Sequence, residues 1–318
     1  MTQLINFLYA SIKAGTPLLF GTSGEILTQK SGNMNLGVEG MMYLGAIASF
    51  YVGFNTNNFP LAILAAAAAG AFGALIFAFI TVTLKANQTV TGLALTIFGT
   101  GVANFFGEVL ANRVPNGSPK LPEGFMANLA AKNVFGLADV PVVGRLLFNH
   151  NILVYLGVVI AIIMGIYLKY TRFGLNVRSV GENPAAADAA GINVTLIKYV
   201  NTVIGGSVCG LGGAYIALVN GGGVWNNGCV NGQGWIAVAL VIFASWSPFK
   251  ALLGSLVFGA STVLQFYVPR DVIELPNAFY MMLPFIITSA VLVITSMKKK
   301  KEGAQPASCG ANYFREER

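Results

Sequence analysis

The sequence predicts an all-α fold: a polytopic transmembrane helical bundle of about nine spans, with discontinuous or re-entrant segments. Three observations predict it. Hydrophobic residues make up 55% of the 318 and charged residues only 10%, whereas a soluble domain carries about 25% charge. Mean hydropathy is +0.68. Apolar runs near the roughly 20 residues that cross a bilayer recur along the chain, with the basic residues lying mostly between them.

Taken in order, the runs are 4–22, 36–53, 60–84, 88–108, 151–169, 199–219, 235–246, 249–267 and 278–297. The first is weak as a span, because Lys13 interrupts it and it runs into polar GEILTQKSGNMN. Run 60–84 is Ala-rich, and its Gly70 and Gly73 permit close packing against neighbours. The seventh, WIAVALVIFASW, is short enough to be partly re-entrant. No cleavable signal peptide is expected, since the apolar start continues past any small-residue cleavage site and further spans follow.

The positive-inside rule sets the sides. Lys298 to Lys301 put the end of the last span in the cytoplasm, and counting back puts loop 170–198 there too, with Lys169, Arg172, Arg178 and Lys198. Lys30, Lys85 and Lys250 fall on the same side. Loop 109–150 is then extracellular despite Arg113, Lys120, Lys132 and Arg145, because long loops translocate largely regardless of charge. An odd number of spans leaves the N-terminus outside. The organisation is one membrane domain over 1–297, followed by a basic and then flexible cytoplasmic tail over 298–318.

Several function classes are excluded. The net charge of +7 is spread between spans and in the terminal KKKK, which reads as topology and not as a nucleic-acid patch. Three scattered cysteines and one histidine, His150, make neither a disulfide framework nor a metal centre. There is no phosphate loop of the GxxxxGK[ST] type, no HExxH and no GxSxG. The chain is expected to be no enzyme, to hold no cofactor and to have no catalytic residue; if ATP drives it, another subunit hydrolyses it.

Polar sequence inside such a chain marks what the chain is for. Phe173 to Val194 is a polar insert between two spans. Asn183-Pro184 reads as a helix start, AAADAA as helix-forming material and Gly191 as a C-cap, predicting a short rod over 184–190. SGNMNLGVEG over 31–40 and GGGVWNNGCVNGQG over 221–234 break the apolar pattern at matching places in the two halves, as discontinuous transporter helices do. Glycines there allow close approach, and amides offer donors and acceptors without a full charge in lipid. Turn-forming loops would carry the same residues. Glu25 and Glu39 lie close to or within membrane depth, where acids are expensive. In NQTVTGLALTIFGT over 87–100, the threonines suit bonding to the carbonyls four residues back. His150 reads as an interface residue and not a proton relay.

ILTQKSGNMNLGVEGMM, NQTVTGLALTIFGTGVANF, VRSVGENPAAADAAGI and GQGWIAVALVIFASWSP, in this order, resemble the membrane permease subunit of bacterial ABC importers serving sugars, branched-chain amino acids and nucleosides. The NLGVEGMM form resembles the nucleoside (basic membrane protein associated) branch. The resemblance implies a permease in the bacterial plasma membrane that moves a nucleoside-like solute inward by alternating access. It also implies an ABC ATPase subunit, a sister permease and an extracellular substrate-binding lipoprotein as partners. It makes 170–198 a coupling loop that rests on the ATPase through Arg178, Gly181, Glu182, Asn183, Pro184, Ala187 and Gly191. Asn35, Glu39, Gln88, Thr91 and Asn104 become the candidate substrate path. A permease for a simple sugar such as ribose and a self-sufficient secondary carrier stay open as alternatives.

Overall fold

The computed structural model describes residues 2–115, 117–133, 143–267, scattered positions between 279 and 293, and 304–315. Among these the chain is helical almost throughout. Helix α1 runs Thr2–Lys30 and α2 Val38–Thr56. Helix α3 covers Phe59–Ala78 and continues as a π turn, Phe79–Thr83, before α4, Gln88–Ala111. Short helices α5 (Glu123–Leu129) and α6 (Val143–Leu147) follow, with strands β1 (Lys132–Asn133) and β2 (Asn149–His150) paired antiparallel. Then come α7 (Ile152–Tyr170), α8 (Arg172–Glu182) and α9 (Pro184–Ala189). Helix α10 is Val194–Tyr215 with a π turn at Ile216–Asn220, and α11 (Gln233–Phe243) and α12 (Pro248–Val263) follow, α12 running into a 3-10 turn at Leu264–Phe266.

The predicted runs map onto these helices, except that 278–297 lies largely outside the described residues. Among the described residues, four helices are long and apolar enough to span a bilayer: Phe59–Thr83, Gln88–Ala111, Ile152–Tyr170 and Val194–Asn220. Helices α11 and α12 are shorter, 11 and 16 residues. The first run does not stop at 22. It continues unbroken to Lys30, around Pro17, because Glu25 and Gln29, one turn apart, bond to each other and face the protein instead of water or lipid.

Asparagine starts five of the described helices. Asn58, Asn87, Asn151, Asn183 and Asn193 each accept a hydrogen bond from the amide three residues on, at 2.9 to 3.1 Å, and Thr171 does the same for α8 at 3.0 Å. The distribution of polarity is inverted relative to a soluble protein. Leu64, Phe72, Ile97, Phe105, Ile163 and Leu253 face outward, while Glu25, Gln29, Asn33, Asn35, Glu39, Asn201 and Thr202 are buried. Such a surface suits lipid, and such a centre suits a polar solute. Helix α10 is the hub, 78% buried over its apolar window against 28% for α4. It packs against α1, α2 and α3. Its seam with α3 is made by Gly70, Gly206, Gly210, Ala66 and Ala74, where a methyl on Gly70 would overlap the Gly206 carbonyl.

Candidate functional site

Three constructions stand out, and all meet near the break between α1 and α2. The first is the break itself, residues 31–37, where Gly32 takes a positive φ of 89°. Its polar groups are tied to distant helices. The Asn33 side-chain amide donates to Thr202 Oγ1 at 2.9 Å, and the Met34 amide donates to Gln88 Oε1 at 2.6 Å. Asn35 Oδ1 accepts from Gly37 N at 2.8 Å, and the Asn35 amide donates to Glu25 Oε1 at 3.1 Å. Gln29 donates to the same Glu25 oxygen at 2.8 Å, and its own Oε1 accepts from Trp246 Nε1 at 2.6 Å. Trp246 is aimed there by two successive non-glycine residues at positive φ, Ser245 and Trp246, a conformation that costs energy and is held by its surroundings. Sequence reasoning missed this network of Gln29, Trp246, Asn33 and Thr202; the Glu25–Gln29 spacing was its one local signal.

The second construction joins the two breaks. Glu39 sits in the first turn of α2, and its carboxylate accepts from Gly232 N at 2.8 Å and Gly234 N at 2.6 Å. These are amides at the N-terminus of α11, where a negative charge is favourable. Tyr43 OH, one turn on, accepts from Asn231 N at 3.3 Å. Both Asn/Gly-rich segments of the sequence are therefore physically linked.

The candidate path residues separate into groups. Asn35, Glu39 and Gln88 are buried with their polar atoms engaged inside the protein. Thr91 bonds the Asn87 carbonyl at 2.8 Å and lines an apolar groove of about 320 Å³ with Phe77, Ile80 and Phe98. Thr96 and Thr100 also bond four residues back. Asn104 lies sixteen residues along α4 from Gln88, about 24 Å at helical rise, and its Oδ1 is buried without a partner among the described residues. His150 is buried, stacked on Tyr9 at 4.6 Å, with Nε2 2.8 Å from the Leu146 carbonyl.

The third construction is a hairpin of α8 and α9. Asn183 Oδ1 caps α9 through Ala186 N, and Pro184 opens it. The helix stops in a Schellman motif: Gly191, φ 81°, donates to Asp188 O, and Ile192 donates to Ala187 O, both at 3.0 Å. Of the residues expected to meet a partner, Arg178, Glu182, Asn183 and Gly191 are exposed and Pro184 is half-buried. Ala187 faces inward, packed with Val180 and Val194, and Gly181 is pressed against the carbonyl of Lys30 at the end of α1. The outer face of α9 is Ala186, Ala189 and Ala190. Basic residues collect around the hairpin: Lys30, Lys169, Arg178 and Lys250 line one cavity of about 540 Å³, and Lys85 and Lys198 line another of about 490 Å³.

Residues 304–315 of the tail, expected as a flexible end, lie against the body of the protein. Pro306 is buried, and Ser308, Asn312, Tyr313 and Arg315 bond to the body of the protein. Cys309 is half-buried with it, and burial pushes its thiol up to about 11.

The apolar exterior, the hydrogen-bonded polar centre and the compact polar hairpin are those of a multi-pass membrane protein built around polar groups. Residues 6–292 match the family described as branched-chain amino acid transport system / permease component, and the chain belongs to that family. It is the permease subunit of an ATP-binding cassette importer. Over 310 residues it is 34% identical to the nucleoside ABC transporter permease protein NupC of Lactococcus lactis, covering 94% of each chain. It is 32% identical to the guanosine ABC transporter permease protein NupQ of Bacillus subtilis, over 97% of this chain and 96% of that one. A putative glucose ABC transporter permease protein of Haloferax volcanii, TsgC13, is 35% identical over 83% of this chain and 78% of its own. No solved structure matches significantly. Permeases of this kind are not themselves enzymes, and the family implies an ATPase partner and a sister permease.

Proposed function

We propose that this chain carries a nucleoside inward across a plasma membrane by alternating access, and that an ATPase subunit drives it through the α8–α9 hairpin. The observation that carries the reading is the hairpin. It is capped at both ends, offers a small-residue outer face of Ala186 and Ala189, and is seated on α1 and α10 through Gly181, Ala187 and Val194. A rigid rod with a smooth outer face and a packed inner face passes a push inward without deforming. The gathering of Lys30, Lys85, Lys169, Arg178, Lys198 and Lys250 around it supports a cytoplasmic position, with loop 109–150 outside and the C-terminus inside. An extracellular lipoprotein delivers the solute to the outer mouth.

A nucleoside fits a centre of amides and hydroxyls, and Asn35, Glu39, Gln88, Thr91 and Asn104 are kept as its neighbours along the path. The nucleoside permease NupC and the guanosine permease NupQ, each similar over more than nine-tenths of the chain, support this substrate. The Haloferax relative favours a sugar as the second reading. ATP-dependent uptake of labelled guanosine and uridine by the reconstituted complex, with unlabelled glucose and ribose as competitors, decides between them. Competition by nucleosides alone is expected; competition by a sugar would replace the nucleoside with the sugar.

A further inference from the structure

Residues 304–315 run as a strap across the face that carries the hairpin, and they touch three separate parts of the bundle. At the hairpin, Ser308 N donates to Gly181 O at 3.0 Å, Ser308 Oγ lies 2.6 Å from the same oxygen, and Ala307 N reaches Glu182 Oε2 at 3.4 Å. Tyr313 OH donates to Asp188 of α9 at 2.8 Å, and Arg315 Nε stands 3.2 Å from the same oxygen. At the α1–α2 break, Gly310 N donates to Gly32 O at 3.3 Å. At the α3–α4 connection, Asn312 Nδ2 donates to Lys85 O at 2.6 Å and Ala86 O at 3.1 Å, while Asn312 Oδ1 accepts from Gln88 Nε2 at 3.2 Å.

The last contact matters most. Gln88 uses its oxygen to hold Met34 N of the break and its nitrogen to reach Asn312 and the Ala311 carbonyl. One amide is thus fixed between the break and the strap, and the next residue of the strap, Tyr313, is fixed to α9.

We propose that the strap is a positioning element of transport: it sets Gln88, and through Gln88 the 31–37 break, according to where the hairpin sits. A movement of α9 then pulls on Asp188–Tyr313, is carried to the adjoining Asn312, and reorients the break. This rests on the coupling role proposed for the hairpin. The strap is a continuous chain of hydrogen bonds between two elements that must move together for ATP hydrolysis to be productive. Its function is to convert hairpin position into break geometry, without itself meeting the solute.

The test uses the complete complex of permease pair, ATPase and binding protein in proteoliposomes, reading solute moved per ATP hydrolysed. Asn312→Ala and truncation after Gly303 are expected to leave assembly and ATP hydrolysis in place and to lower solute per ATP about tenfold. Ser308→Thr, which keeps the hydroxyl, is expected to behave as the parent chain. Release of the strap is read independently by alkylation of Cys309, followed by mass spectrometry, which is expected to run about tenfold faster in Asn312→Ala. An unchanged solute-to-ATP ratio in the truncated chain overturns the proposal. Ala186→Trp, on the outer face of α9, isolates the reading beneath it: loss of ATPase association sustains the hairpin role, and intact association refutes that role whatever the strap does.

Discussion

Glu39 offers the sharpest perturbation. Both of its carboxylate oxygens are occupied, by Gly232 N at 2.8 Å and Gly234 N at 2.6 Å, and the residue is only 5% exposed. Glu39→Gln preserves shape and removes one acceptor. The glutamine oxygen can still take one of the two amides, but its NH₂ group is then turned toward the other, donor against donor. Leaving that buried amide unpaired costs about 1–3 kcal/mol, and the remaining bond loses its charge assistance, worth about another 1 kcal/mol. A loss of about 2–4 kcal/mol corresponds to a melting temperature about 3–6 °C lower for the detergent-solubilised protein. The effect is expected in thermal unfolding before any partner is added, and Glu39→Ala is expected to be worse because both amides lose their acceptor. Should Glu39→Gln melt with the parent chain while uptake vanishes, the clamp between the two breaks is not what Glu39 contributes, and a direct role toward solute or proton takes its place.

Two further outcomes follow from local geometry. Asn183→Ala removes the cap of a six-residue helix; a cap is worth about 1 kcal/mol, so ATPase affinity is expected to fall about fivefold in a titration, and Asn183→Ser is expected to restore it. Burial holds the His150 imidazole below its ordinary value, with the Leu146 carbonyl partly opposing. On acidification the unfolded chain therefore binds the proton first, so the contribution of His150 is present above about pH 6.5 and is lost as pH falls below it. The melting temperature of the parent chain is expected to drop more between about pH 7.5 and 5.5 than that of His150→Phe, and parallel slopes would remove His150 as the cause.

Much of this architecture was legible because its signals are local. Apolar length locates α2, α3, α4, α7 and α10, and the Asn183-Pro184 start with Gly191 beyond the end delimits α9 to within one residue. The breaks at 31–40 and 221–234 announced themselves by composition. What joined them did not, because Glu39 and Gly232 are 193 positions apart and a carboxylate capping a distant helix leaves no periodic trace. Trp246 and Gln29 are 217 apart. The extension of α1 past residue 22 was hidden for a related reason: GEILTQK looks like a loop if its polar groups need water, and like a helix once Glu25, Gln29 and Thr28 find partners inside. The docking of the tail rests mainly on backbone carbonyls at Gly32, Lys85 and Gly181, groups that every residue possesses and no sequence pattern singles out.

The seam between α3 and α10 bears on how this gene can change. Every single-base change in a glycine codon that alters the residue adds at least one heavy atom, and at Gly70, Gly206 and Gly210 the first atom already meets backbone or a packed methyl. Backbone on the other side cannot step aside without carrying its whole helix. No one-step route leads away from these three residues that leaves the two helices at their present separation. Substrate preference must therefore drift elsewhere, in side chains hung around a pair of helices whose spacing is closed to revision.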